Sequence, residues 1–192
     1  MLFITSVRLF IAVNLPPDLR QQIWDAAEPL RAARYPVRWV TPDGIHVTLK
    51  FLGEVGPDRE AEIFAAMEAA AQGARSFELP LGGFGAFPAA SRPRVLWAGC
   101  DPVPPLELLQ HRMEQEMERL GFPVEGRAFH PHVTLGRVQR DARRGAFEDL
   151  EERLNRLAFS GTTMVESVDL MESRLAREGA QYTRRQAVPL GG

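Results

Sequence analysis

The sequence predicts an α+β fold built as a pseudo-symmetric duplication, mostly antiparallel sheet with helices packed outside. Three observations carry this reading. The tetrapeptide His46-Val47-Thr48-Leu49 returns as His132-Val133-Thr134-Leu135, 86 residues later. The same offset lays Leu9-Phe10-Ile11-Ala12-Val13 over Val95-Leu96-Trp97-Ala98-Gly99 and Pro16 over Pro102, so the repeat includes a leading strand and a helix start. Finally, strand signals come as hairpin-like neighbours within a repeated strand-helix-strand order, which fits poorly with a doubly wound parallel sheet. Two copies make a pseudo-symmetric single domain over residues 1–192 and not a solenoid.

The elements follow in chain order. Residues 9–13 are an apolar first strand. Pro16 and Pro17 open a helix whose Leu19, Ile23, Ala27 and Leu30 recur at helical spacing, ending near Tyr35-Pro36. A short strand at 37–40 precedes the first histidine strand. Gly56-Pro57-Asp58 start a second helix with Ile63, Phe64, Met67 and Ala71 inward. Strands at 77–81 and 94–98 bracket residues 82–93, whose Gly, Pro and Ala content predicts a long loop. A third helix over about 105–120 carries Leu106, Leu109, Met113, Met117 and Leu120 as a core stripe, with His111 off it and solvated. A fourth, about 143–157, buries Phe147, Leu150, Leu154 and Leu157. The tail alternates as two strands, 163–171 and 181–188, joined across Glu178-Gly179.

Composition narrows the class without naming a function. At 192 residues and 45% hydrophobic, the chain can bury one substantial core. Arg8 interrupts the apolar start and no small-residue cleavage site follows, so neither a signal peptide nor a membrane span is expected. Cys100 is the only cysteine, which excludes an internal disulfide, and a cytoplasmic location is the default expectation. A net charge of −2 advertises no nucleic-acid partner globally. Of the 23 basic residues, however, only Lys50 is lysine, and plain alternation sets it two residues beyond Thr48 on the face carrying His46.

That alternation also puts His46 with Thr48, and His132 with Thr134, on single strand faces. An imidazole beside a hydroxyl, presented twice, can build one site with a proton acceptor facing a proton donor, each transfer accelerating a reaction by roughly 10² to 10⁴. Hydroxyls fixed beside them can stabilise charge on phosphoryl oxygens. A phosphodiester next to a ribose hydroxyl suits such a site without a metal or cofactor. No carboxylate cluster, Walker loop or serine elbow offers a competing mechanism. His130, two residues before His132, invites a zinc reading with His46 as a further ligand, but Pro131 disturbs the alternation and no acid completes the set nearby.

These residues resemble the two-histidine phosphoesterases, most closely the RNA 2′,3′-cyclic phosphodiesterases once called 2′-5′ RNA ligases. The matching segments are Arg8-Leu9-Phe10-Ile11-Ala12-Val13, Trp39, His46-Val47-Thr48-Leu49-Lys50-Phe51-Leu52-Gly53, Pro131-His132-Val133-Thr134-Leu135-Gly136-Arg137, and Ser173-Arg174-Leu175 with Gly179 and Tyr182. The resemblance implies two lobes with a central groove between them, one histidine motif from each. It implies a metal-independent enzyme opening 2′,3′-cyclic phosphates on single-stranded RNA 3′ ends, tRNA halves among them, to 2′-phosphates, with reversible 2′-5′ ligation in some members. His46 is then the proton donor to the leaving 3′ oxygen and His132 the acceptor that activates water, with Thr48 and Thr134 holding phosphoryl oxygens. The near-equivalence of the two strands leaves this assignment open on sequence grounds.

Further candidates for substrate contact surround the motifs. Gly136 permits a bulge that would turn Arg137 toward phosphate, the alternative being an edge salt bridge. Phe10 could stack a terminal base, with core packing as the alternative. Lys50 is a candidate phosphate contact, and Arg92 and Arg94, beside the Gly/Pro-rich loop, are candidates for upstream phosphates. A monomer is the default expectation. Two other functions stay open: a superfamily member acting on 2′-5′ linkages or a small cyclic nucleotide, and a non-catalytic RNA-binding module. Both motif histidines and both threonines are present, which speaks against the last.

Overall fold

The computed structural model describes residues 6–143, 145–176 and 179–192. The first strand, β1 (Val7–Asn14), leads into α1 (Pro17–Ala26) and α2 (Glu28–Ala32), then β2 (Val37–Trp39) and the first histidine strand, β3 (His46–Val55). Next come α3 (Glu60–Ala71), β4 (Phe77–Phe87), β5 (Val95–Cys100), α4 (Pro104–Arg119) and the second histidine strand, β6 (His132–Val138). The chain closes with α5 (Leu150–Arg156), β7 (Ser160–Val165), β8 (Ser167–Ala176) and β9 (Gly179–Pro189).

All the strands join one sheet in the order β7-β4-β5-β6-β3-β1-β8-β9, with β2 added along β6, and each ladder is antiparallel. The order mirrors itself about the β6/β3 contact. One lobe is β3-β1-β8-β9 and the other is β6-β5-β4-β7, so the two histidine strands hold equivalent inner positions. Helix α3 packs against α4, β8 and β9, while α5 packs against β4 and α2. The main core runs from Leu9 and Ile11 through Val47, Met67, Leu106 and Met113 to Val133 and Leu170. A second cluster around Leu30, Val37, Leu96 and Leu154 fills the β6 lobe.

Several expected boundaries move, each for a local reason. The expected first helix breaks at Ala27, because Pro29 has no N–H to bond back one turn. Residues 82–87, read as loop, extend β4. There Gly83 takes φ 69° at a bulge, and a Cβ on Gly85 would come within 2.2 Å of the Trp97 ring, so these glycines make room across a strand pair. Helix α5 begins at Leu150 and not near 143, after Gly145 at φ 84° turns the chain. The expected strand over 163–171 is two strands broken at Glu166: β7 pairs with β4 and β8 with β1, in different lobes. Alternation continues through that crossing, which is why the sequence does not mark it. Nor is each half of the chain a complete unit, since β4 leaves for the second lobe and the β8–β9 hairpin returns to finish the first. The expected turn at Glu178 lies outside the described residues.

Candidate active site

The two histidine strands meet at the antiparallel pair Val47↔Val133. Register through that pair sets His46 across from Thr134 and Thr48 across from His132. The six residues from His46 and the six from His132 share one burial order: half-buried, buried, half-buried, buried, buried, exposed. Two successive buried positions break strict alternation, and the pairing shows why. Ile11 faces Lys50 but Ala12 faces Thr48, leaving Leu49 unpaired, and Leu96 faces Gly136 but Trp97 faces Thr134, leaving Leu135 unpaired. Each motif therefore carries a bulge just after its threonine.

The bulges decide where the neighbouring residues go. In the second motif the bulge returns Arg137 to the face of His132 and Thr134, close enough for its charge to act on both imidazoles. In the first motif the equivalent position is Phe51, 55% exposed. The bulge corrects the expectation for Lys50, which turns off the His46 face. Its side chain is buried, with Nζ donating to the Glu114 carboxylate at 2.7 Å and to the Pro123 carbonyl. The equivalent of Lys50 in the second motif is Gly136, where a Cβ would lie 2.5 Å from Val37 because β2 crosses there.

Phe10 is also corrected: at 2% exposure it is closed to an incoming base and lies 4.8 Å from the His46 ring, centroid to centroid. Tyr182 stands edge-on to the same imidazole at 5.0 Å. His132 has an analogous edge-on neighbour in Phe87, also at 5.0 Å. The His132 Nδ1, protonated, donates to the His130 carbonyl at 2.7 Å, which leaves Nε2 as the free acceptor. His130 itself is exposed, and among the described residues no group of three or more His, Cys, Asp or Glu is arranged to hold a metal.

Burial, more than any neighbour, lowers the pKa of His46, to about 4, with Arg137 and His132 adding to the shift and the Gly44 carbonyl opposing it. The pKa of His132 is lowered as well, first by burial and then by Arg137 and His130, against its bond to the His130 carbonyl. Both rings are therefore neutral near pH 7 in the unliganded protein. An unfolded His46 would take a proton near pH 6.5, before the folded one does, so this group makes stability rise with pH across that window and fall as pH drops toward 4. His46→Ala is thus expected to flatten the pH dependence of the melting temperature between those values. A variant melting with the wild-type slope would show that the ring is not desolvated.

A cavity of about 1630 Å³ opens over this face, lined by Thr48, Phe51, His132, Thr134 and Arg137 among others. Arg92 and Arg94 are exposed along its wall. The structure thus gathers His46, Thr48, His132, Thr134 and Arg137 at the strand crossing and sets Arg92 and Arg94 along the groove, while Lys50 and Phe10 go to supporting positions. Sequence reading missed Phe51, although the 86-residue offset from Arg137 marks it, and missed the roles of Phe87 and Glu114, for which no local signal exists.

Two His-x-Thr strands, one from each lobe, meet on one face of a single antiparallel sheet, and the family comparison agrees with that arrangement. The family described as the 2′-5′ RNA ligase superfamily matches residues 16–177, and the chain belongs to it. It is 33% identical over 178 residues to an RNA 2′,3′-cyclic phosphodiesterase of Methanothermobacter thermautotrophicus, covering 93% of this chain and 96% of that one. Among solved structures, a Thermus thermophilus protein superposes with a TM-score of 0.80 at 28% identity, covering 96% and 98% of the two chains. Escherichia coli LigT complexed with 3′-AMP superposes at 0.75 and 30% identity, covering 96% and 98%.

Proposed function

We propose that this protein hydrolyses 2′,3′-cyclic phosphate ends of RNA to 2′-phosphates. The observation that carries the reading is the crossing at Val47↔Val133, which brings two imidazoles, two hydroxyls and the Arg137 guanidinium to one face. The names of the relatives at about 30% identity and the 3′-AMP in the LigT complex support the substrate class.

In this reading Arg137, Thr48 and Thr134 hold the phosphoryl oxygens. His132, its Nδ1–H held by the His130 carbonyl, takes a proton from water through Nε2 as the water oxygen bonds to phosphorus. The P–O3′ bond breaks and the 3′ oxygen leaves with a proton from His46, giving a 2′-phosphate and a free 3′ hydroxyl. A neutral His46 must first gain that proton. The bound phosphodiester anion offsets the positive field of Arg137 and favours the imidazolium, so substrate and proton load together. Phe51, exposed beside Thr48, offers a face on which the terminal base stacks. No step calls for a metal or a cofactor, and the protein acts as a monomer on single-stranded cytoplasmic ends such as tRNA halves. Among the described residues no helix is long and apolar enough to cross a membrane.

The test is phosphorus NMR of a short RNA ending in a 2′,3′-cyclic phosphate, incubated with the protein in EDTA. Conversion to a 2′-monophosphate signal is expected. An unchanged spectrum would redirect the assignment to other substrates of the superfamily, beginning with 2′-5′ linked oligonucleotides, and loss of activity only with chelator would bring back a metal.

A further inference from the structure

The pseudo-symmetric groove is chemically lopsided. Arg137, Arg92, Arg94, Arg127, Arg140 and Arg143 all line the large cavity, and all are exposed. Each comes from β6 or from a segment flanking β5 or β6 in the chain, and Arg127 lies on the connection from α4 to β6, which reaches β3 where the Pro123 carbonyl accepts from Lys50. At the position equivalent to Arg137, the opposite lobe presents Phe51. Carboxylates on the cavity wall are fewer, at Glu125, Glu148 and Glu151, in a chain whose net charge is −2. Among the described residues none of the six arginines has an ion-pair partner, a state they share with Arg8, Arg31, Arg34, Arg38, Arg75, Arg112 and Arg184 elsewhere; what sets the six apart is that they line one cavity. Like charges gathered along one groove raise the local concentration of anions.

Resting on the function proposed above, we infer that the arginines on β6 and on the segments flanking β5 and β6 form a track for the phosphates upstream of the cyclic end, so that an oligonucleotide is turned over in preference to a cyclic mononucleotide. The terminal base lies toward Phe51, the reacting phosphorus sits between the histidines, and the strand leaves in the 5′ direction over Arg92 and Arg94 toward Arg127, Arg140 and Arg143. A mononucleotide has no phosphate to place there.

The experiment compares kcat/KM for a hexauridylate ending in a 2′,3′-cyclic phosphate with that for uridine 2′,3′-cyclic monophosphate, across about 50 to 300 mM salt, for wild type and the triple variant Arg127→Gln, Arg140→Gln, Arg143→Gln. The wild type should prefer the hexamer and lose that preference as salt rises. In the variant the hexamer-to-monomer ratio should fall about tenfold, and the salt slope for the hexamer should shrink by about 2, near 0.7 for each single-strand phosphate contact. Equal preference and equal slopes in both proteins would overturn the track and leave these arginines as a solvated rim. If neither substrate turns over, the hydrolytic reading fails separately. Anisotropy of a fluorescein-labelled hexauridylate with a 3′-phosphate then decides the track: salt-sensitive binding weakened in the variant supports it, and identical binding by both proteins overturns it.

Discussion

His46→Ala and His132→Ala are each expected to slow hydrolysis of a cyclic-phosphate RNA end by about 10² to 10⁴, the usual worth of a positioned proton donor or acceptor. Both rings are half-buried and neutral, so neither loss should unfold the protein. The shapes of the pH profiles separate the roles. With His46 as donor, its removal erases the alkaline limb of kcat/KM, and with His132 as acceptor, its removal erases the acidic limb. The opposite pattern would exchange the two roles, and a variant retaining wild-type turnover would remove the two-histidine mechanism altogether.

The largest stability effect is expected behind the site. Glu114→Ala leaves the Lys50 ammonium buried without its carboxylate, at 1% side-chain exposure, and breaking such a pair from one side costs about 3 to 5 kcal/mol. For a chain of this size the melting temperature should fall by roughly 6 to 20 °C. The double variant Lys50→Met, Glu114→Leu replaces both charges with apolar groups of similar volume and should recover most of that loss. A Glu114→Ala protein as stable as the wild type would mean that solvent reaches Lys50. Since Lys50 follows the bulge next to Thr48, the single variant should also depress kcat, and the double variant should restore it.

The residues behind these two effects differ in how far the sequence reveals them. The motif histidines and threonines are readable because a four-residue word repeats at the offset of a whole structural unit, and period-two alternation alone assigns their faces. Arg137 is readable only through Gly136, whose lack of a side chain admits both the bulge and the crossing of β2. In the first motif Lys50 stands in place of that glycine, so nothing local signals the bulge and alternation gives the wrong face. Phe10 reads equally well as a stacking or a core residue, since nothing in the first strand says that β8 and Tyr182 will close over it. The long loop expected at 82–93 fails for a related reason: a glycine that admits Trp97 across a strand pair has the same letter as one that frees a turn.

By itself the sequence determined the α+β class, the duplication, the helix core stripes and the shared strand faces of the four motif residues, because these depend on periodicities of 2 and 3.6 and on a repeat visible along one chain. Only the tertiary structure decided that the lobes exchange strands, that β3 and β6 meet at Val47↔Val133, that Lys50 belongs to Glu114, and that six arginines line one groove. Strand partners, ion pairs and shared cavities join residues tens of positions apart, and such long-range pairings leave no local period to read.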